Sequence, residues 1–414
     1  MRAAILFLLC TCSVIYAVDL QAAVKFDKNG YMLVDGQPQF PVSIYVAFYP
    51  EWLDTDPNKI EANLNDMRNS PFDFMINYGS GKGSAEQIRR YYEQLKRYNL
   101  KEFFDLTKYY NEMDVAEWKM DFDGTDEEAI SRTVKSLKDC TSLIGWYIFD
   151  ENPKKPELVT RHYQLIKEID PNHPAFVLSN EETAEEHREY LAGCDIFGVD
   201  CYPVAGKSMI SVADRVDSMM EAVNHSRSAW FVTQTFGWYL YKNPGAREEG
   251  FRISPQAIAN GTDRPPTPEE IRCMSYLAIV HGATGLSYYY HKDIMLSYDA
   301  PVRWAAVKAI AKDIKDISPI LTAQTIKIDP KLLYKNRLSA DNISVHWMAK
   351  KYQDRMYLIL VNTSRDLQSS FFNRMPWKFT NANVIQGDCF AYGSDGLLLV
   401  ILDGLETAVI ELQQ

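Results

Sequence analysis

The chain has 414 residues, 46% of them hydrophobic and 24% charged, enough to bury a large core and too apolar for a disordered or fibrous class. Lys and Arg number 44 against 55 Asp and Glu, a net charge of −11, so the bulk cationic surface that a nucleic-acid partner needs is missing. The cysteines after residue 23 are Cys140, Cys194, Cys201, Cys273 and Cys389: odd in number, widely spaced and without a C-x-x-C pair, hence neither a disulfide framework nor a metal site.

Arg2, the apolar run Ala3–Ile15 and the small residues Ala17, Ala22 and Ala23 predict a secretory signal peptide over residues 1–23. The mature protein is therefore expected to be secreted or periplasmic. The run falls short of the ~20 residues that a membrane span needs, and no later stretch is long and apolar enough. Lys25–Phe40, with turn dipeptides Asn29-Gly30 and Asp35-Gly36, predicts a hairpin closing one end of a barrel.

Eight short apolar or aromatic runs follow: Pro41–Ala47, Phe72–Tyr78, Lys101–Thr107, Leu143–Glu151, Pro174–Asn180, Cys194–Pro203, Ser228–Phe236 and Gly282–His291. Each is bounded by Gly, Pro, Asn or Asp, as buried parallel strands should be. Helical patterns lie between them. Val212, Val216, Met219 and Val223 share one face, and Thr267-Pro268-Glu269-Glu270 opens a helix with a capping residue and Pro at its first position. Eight strand–helix rounds predict a (β/α)₈ barrel over residues 24–322. A doubly wound sheet is disfavoured, because no Gly-rich phosphate loop follows any strand. Past Ile320 the pattern changes to short strands at Ile343–Met348, Arg355–Val361, Asn383–Ile385, Leu397–Leu402 and Ala408–Leu412. Residues 323–414 are thus expected to form an antiparallel β-sandwich.

A barrel of this kind carries its site at the C-terminal ends of the strands. Those ends supply Tyr45, Tyr78, Asp105, Asp150-Glu151, Asp200, Tyr202, Gln234 and Tyr288–Tyr290. Carboxylates and amides suit hydroxyl groups, and aromatic faces suit sugar rings, so a carbohydrate is the expected partner. Asp105, Tyr202, Gln234, Trp238 and Tyr289 are the expected contacts; Gln234 could bind a hydroxyl or fix a neighbouring carboxylate. Trp238 and Tyr239 begin a stretch of roughly 30 residues to Pro266, long enough to suggest a working loop. Neighbouring acids push their pKa values apart, which can leave one protonated at neutral pH; Asp150-Glu151 is the sharpest such pair, although adjacent strand residues point opposite ways. A plain helix cap is the bland alternative. No metal or organic cofactor is implied.

Gly145-Trp146-Tyr147-Ile148-Phe149-Asp150-Glu151-Asn152-Pro153 resembles the fourth strand of the clan A (β/α)₈ glycoside hydrolases, in a divergent bacterial form. Asp195–Pro203 resembles their sixth strand, and Pro266–Tyr290 their last helix and eighth strand. The resemblance implies that Glu151 is the general acid/base. It also implies a nucleophilic Glu at the end of strand seven, where this chain has Gln234, and an amide cannot form a glycosyl ester. Asp200 is then the leading second catalytic carboxylate, with Asp150 tuning Glu151 or orienting substrate. Two other readings stay open: a substrate-assisted reaction using a 2-acetamido group, and a sugar-binding protein on an inactive scaffold. Two carboxyl groups roughly 5–10 Å apart across an open cleft would favour hydrolysis, whereas a Glu151 engaged in a buried pair would favour binding.

Overall fold

The computed structural model describes residues 24–109, 124–151, 154–243, 245, 263–328, 333–334, 344–373 and 375–413. The expected signal peptide over residues 1–23, Asn152-Pro153, most of the loop before Asp263, and Ile343 lie outside the described residues.

The N-terminal piece is a three-stranded antiparallel sheet, β1 (Lys25–Phe26), β2 (Met32–Val34) and β3 (Gln37–Gln39), where the sequence predicts a single hairpin. Both turn dipeptides are used, with Gly30 and Gly36 at positive φ, so two tight turns give three strands.

All eight predicted barrel strands are present: β4 (Val42–Val46), β5 (Phe74–Asn77), β6 (Glu102–Asp105), β7 (Leu143–Asp150), β8 (Ala175–Ser179), β9 (Ile196–Cys201), β10 (Ser228–Gln234) and β11 (Gly285–Tyr289). They pair in parallel in sequence order, and β11 pairs with β4 to close the barrel. Their inward residues, among them Phe74, Phe103, Tyr147, Phe176 and Trp230, form one packed interior. Gly145 and Gly198 make room for it. A Cβ on Gly145 would sit 2.2 Å from the Phe103 ring, and one on Gly198 would sit 2.7 Å from the Phe176 ring. The outward residues meet the helices in a second, larger core.

Among the described residues nine strands follow: β12 (Gln324–Ile326), β13 (Leu333–Tyr334), β14 (Val345–Tyr352), β15 (Arg355–Asn362), β16 (Gln368–Phe372), β17 (Asn381–Gln386), β18 (Phe390–Ser394), β19 (Leu397–Leu402) and β20 (Thr407–Gln413). They form two antiparallel sheets, ordered β12-β14-β15-β20-β17 and β13-β16-β19-β18. Alternation along β15 explains how this sandwich docks. Leu358 and Leu360 face its own core, while Tyr357, Ile359 and Val361 join the core shared with the barrel. Helix Pro268–Val280 lies on the barrel side of that seam. It is fixed at its start by the predicted cap, with Glu270 N–H on Thr267 Oγ1 at 3.3 Å and Thr267 N–H on Glu270 Oε2 at 2.9 Å.

Candidate active site

The fourth barrel strand resolves the problem of its two adjacent acids. A register irregularity between Tyr147 and Phe149 inserts one residue against β8, so Tyr147 and Asp150 both turn inward although three positions apart. Asp150 pairs in register with the inward Leu178. Glu151 lies just past the strand, with its N–H on the Leu178 carbonyl at 3.0 Å and φ at +60°. A left-handed non-glycine residue costs about 1–2 kcal/mol, so this conformation is held by its surroundings.

Asp150 accepts a hydrogen bond from the Tyr78 hydroxyl at 2.8 Å. Burial raises its pKa to about 6, against the pull of the Tyr78 hydrogen bond and the nearby Tyr147 hydroxyl, and the charge of Asp105 adds to the rise. Glu151 is perturbed more. Burial, a side-chain hydrogen bond with Asp200 and the charges of Asp200 and Asp150 drive its pKa far above the carboxylate range; Arg215 opposes them weakly. Arg215 is otherwise engaged, donating to the carbonyls of Asn180 and Glu181. Burial and like charge thus favour the protonated form of Glu151, and Asp200, the neighbouring charge that acts on it most, is 5% exposed at the end of β9.

Asp105 is held locally. Its Oδ1 accepts from Thr107 N–H at 2.8 Å and from Thr107 Oγ1 at 2.6 Å, and Lys108 Nζ lies 3.5 Å from its Oδ2. The same Lys108 Nζ stands 5.1 Å from the centre of the Tyr78 ring, linking Asp105 to the Asp150 corner. Tyr202, Trp238 and Tyr289, all half-buried, gather on the other side. Tyr202 lies 5.8 Å from Tyr289 and 6.3 Å from Trp238, ring centre to ring centre, with Phe236 beneath at 5.0 Å from Tyr202. Tyr289 continues into Tyr45 at 5.5 Å and Tyr78 at 6.2 Å. A band of aromatic rings therefore runs from Tyr78 past Tyr289 to Trp238, beside the carboxyl groups. The sequence places these side chains at the strand ends, but the parts played by the Phe236 ring and by the hydroxyls of Tyr78 and Tyr147 emerge only from the fold. Their signal was present: aromatic residues at the C-terminal ends of barrel strands.

Gln234 departs from expectation. It is completely buried, and its amide bonds to backbone rather than to a carboxylate: Oε1 accepts from Val204 N–H at 2.8 Å, and Nε2 donates to the carbonyls of Val204 at 2.5 Å and Phe236 at 3.1 Å. It stands at the strand-seven position where the resemblance calls for a Glu. Beyond Trp238 the stretch to Pro266 is pinned at both ends, by Tyr239 N–H on the Asp263 carbonyl at 3.2 Å and Lys242 Nζ on Asp263 at 2.5 Å. No group of potential metal ligands occurs among the described residues, and no helix there is long and apolar enough to cross a membrane.

Solved structures of similar fold include a glycoside hydrolase and α-amylases. A family 5 glycoside hydrolase from Bacteroides vulgatus is 12% identical and covers 95% of this chain and 94% of its own, with a TM-score of 0.61. The α-amylase of Geobacillus thermoleovorans is 12% identical, covers 94% of this chain and 99% of its own, and gives 0.54. The α-amylase of H. orenii, 9% identical, covers 91% and 99% and gives 0.52. At such identities the likeness is one of fold: the closed barrel resembles those of glycoside hydrolases, as the sequence suggests. No protein-family model matches the sequence, and neither does any curated protein.

Proposed function

We propose that this protein is an exported glycoside hydrolase in which Glu151 is the general acid. The observation that carries the reading is a carboxyl group withdrawn from water at the barrel mouth, beside a band of aromatic rings and with Asp200 and Asp150 raising its pKa. Protonating a glycosidic oxygen requires an acid that still holds its proton at working pH, and this environment provides one. Asp200 holds that proton in place until a leaving-group oxygen displaces it. Asp150, tuned by Tyr78, keeps negative charge next to the site, where it favours the positive charge that develops on a sugar ring. Tyr202, Trp238 and Tyr289 would cover the apolar face of the sugar, with Asp105 within reach of a hydroxyl. Gln234 would serve from beneath rather than by touching substrate.

Gln234, standing at the strand-seven position and tied to backbone, also favours a second reading, a carbohydrate-binding protein that keeps the scaffold without turnover. One experiment separates them: the mature protein, Glu151→Gln and Asp200→Asn are assayed across a broad panel of glycosides and polysaccharides. Hydrolysis that disappears in Glu151→Gln supports the enzyme, and a strict need for a 2-acetamido group would make the substrate its own nucleophile. Sugar binding without hydrolysis supports the second reading. Turnover unchanged in Glu151→Gln would remove Glu151 from the mechanism. Export is checked by N-terminal sequencing of the protein recovered outside the cytoplasm, expected to start close to Val24.

A further inference from the structure

We propose that the outer face of the sandwich is a second carbohydrate-binding surface, on which Phe390, Tyr392 and the apolar side chains beside them hold a neutral polysaccharide chain. The class of ligand rests on the carbohydrate reading of the barrel mouth, but the surface binds whether or not Glu151 helps to break a bond.

The sheet β12-β14-β15-β20-β17 packs on the barrel, so the sheet β13-β16-β19-β18 is the layer turned away from it. The solvated side of an antiparallel sheet is ordinarily polar. This one is not. Along β19, Leu398, Val400 and Leu402 fill the sandwich core, so Leu397, Leu399 and Ile401 point outward. On β18, Ala391 packs inward while Phe390 and Tyr392 stand on the outer side. Phe390 pairs with Ile401 and Tyr392 with Leu399, and Phe371 of β16 meets Leu399 from the other edge. At 55% and 61% accessible, Phe390 and Tyr392 are the most exposed aromatic side chains among the described residues.

Charge, size and chemistry together select the occupant. Strands β16, β18 and β19 contain no Asp, Glu, Lys or Arg, in a chain of net charge −11, so the matching partner is neutral. An anionic membrane surface, which is held by Lys and Arg, does not match. Three strands ~4.8 Å apart and about five residues long at ~3.4 Å each give roughly 200 Å², against the ~800 Å² per partner of a stable protein interface. A second copy of this chain is therefore too large an occupant, whereas a glycan chain is narrow enough. Phe390 and Tyr392, two positions apart on one strand, set their side chains ~7 Å apart on the same side. Rings placed in that way cover the apolar faces of sugar rings in a chain. Tyr392, with Ser369 and Ser394 on the same side of the sheet, supplies hydroxyls for those of the sugar.

Retention of the mature protein on neutral polysaccharides tests the surface: cellulose, chitin and starch granules in a pelleting assay, xylan and mannan in affinity gels. Wild type should be retained on at least one of them, and Phe390→Ser with Tyr392→Ser should weaken its apparent Kd there at least about tenfold. Both side chains are exposed, so the Tm should stay unchanged, and Tyr392→Trp, which keeps a ring, should restore retention if Tyr392→Ser does not fold. Val302→Ser, which removes an exposed apolar side chain from a barrel helix, is the control and should bind as wild type does. Cleavage of a small soluble glycoside, measured beside it, should be unaffected by the sandwich variants. Its absence would count against the hydrolase reading and leave the surface standing. Wild type retained on none of the polysaccharides, or retained equally after Phe390→Ser with Tyr392→Ser, would overturn the proposal. So would an equal loss in Val302→Ser, or a dimer in light scattering that the sandwich variants abolish.

Discussion

Glu151 and Glu270 are the same side chain withdrawn from water in two regions of the molecule, and the two regions treat it in opposite ways. At the seam between barrel and sandwich, Glu270 is completely buried. Burial alone would raise its pKa, yet Arg264, bound through both guanidinium nitrogens at 2.7 Å, the Thr267 N–H and Arg365 from the sandwich pull it down to about 2. At the mouth, Glu151 has carboxylates and an otherwise engaged arginine for neighbours, and its pKa is raised. The lesson is that burial sets the size of the effect while the neighbours set its sign. A charge surrounded by compensating groups staples two domains together; one surrounded by like charge is left ready to react.

That contrast can be broken in several ways. The largest effect should be on turnover. Glu151→Gln removes the transferable proton and should cost at least about 10²–10⁴-fold in kcat on any substrate the wild type cleaves, while leaving the fold more stable at neutral pH. Steady-state kinetics and a thermal melt on the same sample check both halves. Loss of stability together with loss of turnover would mean that Glu151 is a structural residue.

Next comes the seam. Glu270→Gln leaves Arg264 and Arg365 without their shared anion and should cost about 2–3 kcal/mol in urea unfolding. The pH dependence sharpens the point. Because the folded pKa of Glu270 is depressed, its contribution is complete above the ordinary carboxylate value near 4.5 and is lost as pH falls from there through about 2. The wild type should therefore lose stability more steeply than Glu270→Gln across that window. For Glu151 the sign reverses, since the penalty for its raised pKa appears only as pH climbs past the same starting value.

The smallest effect is expected at Asp150. Tyr78→Phe removes a hydrogen bond that holds its pKa down, so the group should rise further from about 6, by about one unit or less. The acid limb of the activity profile should shift to higher pH accordingly. A shift to lower pH would show that Tyr78 acts on another group.

Much of this architecture is legible in the residues. The eight barrel strands announce themselves because each is a short buried run closed by a turn or capping residue, and the capped start of helix Pro268–Val280 is written in four consecutive residues. The sandwich is less legible. Gln368–Phe372 opens on three polar residues and Phe390–Ser394 mixes exposed aromatic with small residues, and their pairing partners rather than their own pattern make them strands. The candidate site divides along the same line. Asp150, Glu151, Asp200 and the aromatic residues can be read from the strand ends, since position in a barrel strand specifies the mouth. Which of them touch cannot, because Glu151 and Asp200 come from strands separated by β8, and the bulge that turns Asp150 inward leaves no mark in Tyr147-Ile148-Phe149. Gln234 reads as a replaced nucleophile in one dimension and as a backbone clamp in three.

The most direct test of the account is the protonation state of Glu151 itself. A ¹³C-carboxyl NMR titration, assigned with Glu151→Gln, should find the Glu151 carboxyl protonated at pH 7 in the wild type and its titration moved to lower pH in Asp200→Asn. A Glu151 resonance already that of a carboxylate at pH 7, with an ordinary titration, would contradict the claim that the barrel mouth is built to hold an acid.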